Sequence, residues 1–139
     1  MWLALETATD RASVAVGRSA ADAVEENLRG ARRHAGALLP MIEAALGRQG
    51  TTLDGLSGVL VSDGPGSFTG LRVGATIGKA LARARGLPLW TAPSLMVRAA
   101  SVAAPAGRVV LAVADALRGD VYAGAFRFES GRVVTEVEP

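Results

Sequence analysis

Two carboxylates, one glycine-rich loop and a single histidine are the residues of this 139-residue chain whose types and spacing could do chemistry. Glu6 and Asp115 each close an apolar run and precede a turn that carries an arginine, Arg11 or Arg118. Carboxylates so placed can serve as general acid and base or hold a divalent cation. The plainer alternative is that each caps its own turn. Glu6, Thr7 and Asp115 are therefore the candidate cofactor-contacting residues. The loop Gly64, Pro65, Gly66, Ser67, Phe68, Thr69 follows a strand-like run and opens a helical one, where backbone N–H groups can gather an anion. It does not match the phosphate-loop patterns. A Walker loop needs glycine where Val73 stands and Ser or Thr where Ala80 follows Lys79, and a dinucleotide fingerprint needs glycine at Thr69. The preferred reading is a structural turn using glycine's backbone freedom, with Ser67 or Thr69 capping the helix. His34 is the only histidine, and nothing in the sequence ties it to Ser13, Ser67 or Ser94, so no catalytic residue is assigned.

The helix behind the loop carries a second pattern. Gly70, Gly74 and Gly78 recur every four residues, and Ala82 and Gly86 continue the row. A helical glycine costs up to about 1 kcal/mol relative to alanine, so the row needs a compensating close approach. Packing on its own sheet and pairing with a helix of another subunit both satisfy that need. An apolar stripe, Leu38, Leu39, Ile42 and Leu46, lies on the preceding helix. The two rows together are the expected partner surface, at which Gly74→Leu or Gly78→Leu should weaken a complex.

The elements that position these residues read as follows. Residues 2–5, 13–16 and 23–28 are three short strands joined by tight turns, an antiparallel meander. A helix is expected over 35–46, with Pro40 forcing a late start or a slight bend. A strand over 56–62, the loop, and a long helix from Ser67 or Thr69 to Arg85 come next, stopped by Gly86 and Pro88. A short strand over 88–90 and a helix to about Ala103 capped by Ser94 complete a β-β-β-α-β-α-β-α unit. Pro105-Ala106-Gly107 marks a boundary between lobes at 1–104 and 107–139. Beyond it the pattern restarts as three strands, with a turn at Ser130-Gly131. In the strand over 120–128, Tyr122, Phe126 and Phe128 share one face and Val121, Ala123 and Ala125 the other, so self-association or a partner is expected to cover one of them.

Half the residues are apolar but only 4% aromatic, so the core must be built from Ala, Val and Leu. The absence of cysteine excludes disulfides and thiol chemistry, and one histidine leaves no basis for a zinc site. The pI of 9.9 reflects arginine's high pKa, since the formal net charge is only +2. Arg29, Arg32, Arg33 and His34 form the one basic cluster noted, read as a solvated loop or protein contact and not a phosphate track. With no signal-like segment and no apolar run near membrane-spanning length, a cytoplasmic location is expected.

The restart resembles the duplicated ribonuclease-H-like lobe of the actin, Hsp70 and sugar-kinase (ASKHA) group. More specifically, "LALETATDRASVAV", "RRHAGALLPMIEAAL", "DGPGSFTGLRVG" and "DALRGDVYAGAF" resemble, in order, the TsaB (YeaZ) family. The resemblance implies an α/β actin-like fold, one complete lobe plus the first three strands of a second. It also implies a non-catalytic role in making threonylcarbamoyladenosine in tRNA, without a cofactor. The implied partner is a TsaD-type transferase subunit, with a TsaE-type ATPase subunit and a homodimer in isolation as further associations and tRNA met only indirectly. An actin-like ATPase or kinase and a glycoprotease-like hydrolase are the alternatives. Two departures stand out: Glu6 replaces the family's usual aspartate, and Leu38 follows His34 where TsaD-type members carry a second metal-binding histidine. The chain is also shorter than usual members, so ATP tighter than about millimolar is not expected.

Overall fold

A computed structural model describes residues 1–30, 34–102, 106–129 and 132–137. Alternation builds the first sheet. In β1 (Trp2–Glu6) and β2 (Arg11–Gly17), Leu3, Leu5, Ala12, Val14 and Val16 point to one face and are buried. β3 (Val24–Arg29) completes the meander, and the chain then crosses over through α1 (His34–Arg48). A 3-10 turn at Leu53–Gly55 leads into β4 (Gly58–Ser62), which pairs parallel to β1 with Trp2 opposite Gly58. After α2 (Phe68–Arg85), β5 (Leu89–Ala92) pairs parallel to β4. The resulting order β3-β2-β1-β4-β5 puts β1 in the middle of five strands.

Both long helices cover the same face of this sheet. Leu38, Ile42, Ala45 and Leu46 of α1 join Leu3, Leu5, Val14, Val16, Val59 and Val61 in one core cluster. The helix runs through Pro40 and begins at His34, so the expected late start is not seen. Ser67 caps α2, its Oγ accepting the Gly70 N–H at 3.2 Å, and Gly86 closes it in the left-handed conformation at φ 62°.

The final unit is organised differently from the expectation. α3 (Ser94–Ala100) is capped at Pro93 without a side-chain bond, and Ser94 does not act as the cap. Its apolar face does not belong to the first core. Leu95 and Ala99 pack with Ala112 and Phe126 of a second sheet, β6 (Val109–Leu117), β7 (Asp120–Glu129) and β8 (Arg132–Val137). By packing, α3 therefore belongs with the second core. The three strands form an antiparallel meander in the order β6-β7-β8. One face lies under α3, with Phe126 fully buried and Phe128 half-buried beside it. Tyr122, expected on that same face, is exposed. On the other face Val109, Leu111, Val113 and Val121 are exposed. Pro105 and the Ser130-Gly131 turn lie outside the described residues.

Candidate functional site

Parallel pairing brings the carboxyl ends of β1, β4 and β5 to one edge, and the conspicuous loop is tied there on three sides. The Ser67 N–H donates to the Ala8 carbonyl at 2.7 Å, fixing the loop to the exit of β1. The Gly64 N–H donates to Ser94 Oγ at 3.2 Å, and the Ser94 N–H returns a bond to the Gly64 carbonyl at 2.6 Å. Thr7 Oγ1 donates to the Gly70 carbonyl at 2.8 Å in a buried bond. Gly64 holds φ 108°, a conformation that glycine adopts without strain. The N–H groups of Gly64, Ser67 and Gly70 are thus directed into the protein. This geometry supports a structural corner that fixes α2 and α3 to the central strand. The Ser67 and Ser94 hydroxyls each accept a backbone N–H.

Glu6 and Asp115 line two adjoining cavities, which share Thr9, Ser94 and Arg98. Glu6 lines a cavity of about 520 Å³ on the side of β1 away from α1 and α2, with Ser62 of β4 and Ser94 and Arg98 of α3 around it. Asp115 lines a cleft of about 750 Å³ between the two sheets, with Thr9, Asp10, Ser67 and Tyr122. Thr7 is buried and occupied by its bond to α2. No group of three or more metal-ligating side chains occurs among the described residues. Arg29 ends β3, while Arg32 and Arg33 of the basic cluster lie outside the described residues.

Burial pushes the Glu6 carboxyl above its ordinary value of 4.5. The Ala8 N–H, at 2.6 Å from Oε1, together with the Ser62 hydroxyl, Arg98 and the Thr7 N–H, partly offsets that rise. Ser62 Oγ is buried and makes no bond of good geometry, although it lies close enough to favour the carboxylate. Because the folded-state value is raised, the unfolded chain releases this proton first. Stability from protonated Glu6 therefore declines as pH rises through the window above 4.5. Glu6→Gln, neutral yet still able to accept the Ala8 N–H, should match wild type below about pH 4.5 and be the more stable form near pH 7. Urea unfolding of both proteins at the two pH values checks this. A variant that is weaker at neutral pH would show that the carboxylate's hydrogen bonds outweigh its burial.

The expected partner surface needs correction. Leu38, Ile42 and Leu46 are core residues, leaving Leu39 as the exposed member of that stripe. Gly70, Gly74, Gly78 and Ala82 are buried against their own sheet. A Cβ on Gly70 would overlap the Thr7 carbonyl oxygen, one on Gly74 would overlap Thr7 Oγ1, and one on Gly78 would lie 2.5 Å from Val61 Cγ1. Of the two readings that the spacing allowed, the close approach is internal. Sequence reasoning passed over the opposite side of α2. There Phe68 is 74% exposed, with the Arg72 guanidinium 5.4 Å from its ring centre. Its position across the helical wheel from Gly70 and Gly74 was the available signal.

A family model described as TsaD, tRNA N6-adenosine threonylcarbamoyltransferase, matches residues 28–137. The chain is 36% identical over 121 residues to the tRNA threonylcarbamoyladenosine biosynthesis protein TsaB of Escherichia coli, covering 86% of this chain and 52% of that protein. It is 38% identical to the protein of the same name from Haemophilus influenzae, covering 86% and 51%. The chain thus spans about half the length of these curated relatives. A solved structure described as YeaZ from Pseudomonas aeruginosa superposes with a TM-score of 0.85 at 29% identity, covering 99% of this chain and 64% of that one. A shorter match, 50% identical over 60 residues, reaches the tRNA N6-adenosine threonylcarbamoyltransferase of Rhizobium meliloti. No helix among the described residues is long and apolar enough to cross a membrane.

Proposed function

This chain belongs to the TsaB (YeaZ) family, and on that premise we propose that it is a non-catalytic subunit of a complex that makes threonylcarbamoyladenosine in tRNA, docking on a TsaD-type transferase. The observation that carries the reading is identity to proteins named TsaB over 86% of the chain. The docking surface is the outward side of α1 and α2, where Leu39 and Phe68 are exposed. The same surface serves a second copy when the transferase is absent. A TsaE-type ATPase as a further member rests on the family resemblance alone.

Titration calorimetry tests the role in two steps. The chain should bind a TsaD-type subunit from the same organism with a Kd in the micromolar range or tighter, about −8 kcal/mol. ATP should show nothing tighter than about millimolar. Micromolar ATP binding lost in Glu6→Ala, without subunit binding, would favour the actin-like ATPase or kinase instead.

A further inference from the structure

The face of the first sheet that α1 and α2 leave open holds a cavity whose polar end is incompletely matched. Register sets Ala15, Ala4 and Leu60 side by side on β2, β1 and β4. One pleat further toward the exit of β1, the same face presents Ser13, Glu6 and Ser62. Val97, Arg98 and Ser101 of α3 wall the space, which at about 520 Å³ suits a small organic molecule. Most polar side chains around it are already committed. Ser13 Oγ donates to Asn27 Oδ1 at 3.0 Å, as Arg11 Nε does at 2.8 Å. Arg98 Nη1 donates to the Val113 carbonyl at 2.7 Å, and Ser101 Oγ donates to the Arg98 carbonyl at 2.7 Å. Ser62 is different. It is only 6% exposed, yet its hydroxyl has no hydrogen-bond partner among the described residues, and buried hydroxyls are ordinarily paired. Glu6 beside it accepts the Ala8 N–H on Oε1 and makes no ion pair among the described residues.

We propose that this cavity binds a small organic cation, a primary ammonium carried on a short aliphatic body. The head meets Glu6 and the Ser62 hydroxyl, and the body lies along the row Ala15, Ala4 and Leu60. An ammonium brings three donors that separate acceptors can share, so it engages the carboxylate and the hydroxyl together. A guanidinium fork fits less well, because the Ala8 N–H already occupies one oxygen of the carboxylate. An anion would meet the Glu6 charge directly. The cations on the wall do not compensate for it, since Arg11 is held by Asn27 and lies 3.9 Å from Glu25, and Arg98 is turned to the Val113 carbonyl. Burial penalises the charged form of Glu6, and a bound cation offsets that cost. The site lies on the opposite face of the sheet from α1 and α2, so it does not depend on the subunit role.

Calorimetric titration of the whole chain with n-hexylammonium at neutral pH tests the assignment, with 1-hexanol and hexanoate as probes of matched length. Hexylammonium should bind with a Kd below about 1 mM, hexanol at least about tenfold more weakly, and hexanoate not measurably. Glu6→Gln keeps the size of the side chain and should weaken hexylammonium by at least about tenfold while leaving hexanol unchanged. Ala15→Leu fills the apolar row and should weaken both. The three probes are compared on wild type, so the assignment stands or falls even where a variant does not fold. Equal affinity for hexylammonium and hexanol overturns the role of charge. Hexanoate binding more tightly than hexylammonium would give the cavity to anions through Arg98, and hexylammonium affinity retained in folded Glu6→Gln would place the cation elsewhere; each overturns the proposal. So does the absence of any hexylammonium binding up to about 10 mM. None of these results alters the expected affinity for a TsaD-type subunit.

Discussion

Gly70→Ala is expected to remove about 3 kcal/mol of stability, the upper part of the range for overpacking. The new methyl has no room, because it would overlap the Thr7 carbonyl oxygen, and backbone does not yield as a flexible side chain would. Moving α2 outward would also stretch the buried bond from Thr7 Oγ1 to the Gly70 carbonyl. A domain of this size has roughly 5–15 kcal/mol of net stability, so the loss is a large share. The control is the same substitution at Gly47, in α1, where nothing lies within 4 Å of the added atom. There the helix gains about 0.5–1 kcal/mol from alanine's higher propensity. Urea midpoints for the two variants should move in opposite directions. A Gly70→Ala protein as stable as wild type would show that the helix does not lie against the end of β1.

The second large effect is expected at Phe126, the largest of the fully buried side chains. Among the described residues the second core cluster has Leu95, Ala99, Ala112 and Phe126 as its buried members, so few side chains can fill the space. Phe126→Ala should cost about 3–5 kcal/mol. The loss should also be local. Trp2 and Trp90, the two tryptophans, both sit in the first sheet and report on that unit. Far-ultraviolet ellipticity should therefore change at lower urea than tryptophan fluorescence does, a separation that two-state unfolding forbids. Coincident transitions in the variant would mean that α3 couples the two cores into one cooperative block.

Much of this architecture was legible because its signals are local. The alternation of Val14 and Val16, the switch to helical spacing at Leu38, and the stops at Gly86 and Pro88 each act within a few residues. The order of strands and helices follows from them. What escaped is directional. A row of glycines at four-residue spacing states that something comes close, but Thr7, the neighbour that does, is 63 residues away from Gly70. The same holds for α3: Leu95 and Ala99 mark an apolar side without stating which sheet it meets. Ser94 looked like a helix cap because serine is a common one, yet its hydroxyl is held by the Gly64 N–H across the loop. Glu6 and Asp115 occupy matching places in the chain, but matching places in sequence need not open on the same cavity.

The central position of β1 also orders events in time. Its antiparallel neighbour β2 arrives within a few residues, whereas its parallel neighbour begins at Gly58, opposite Trp2. Closing that interval costs chain entropy that grows with the logarithm of its length, and contacts return nothing until it is closed. On a ribosome β1 is therefore enclosed late, waiting for α1 and the crossover to emerge. The β6-β7-β8 meander has no such delay, since each of its strands pairs with the next one made. That sheet can assemble almost as fast as its strands appear, while β1 must wait for β4.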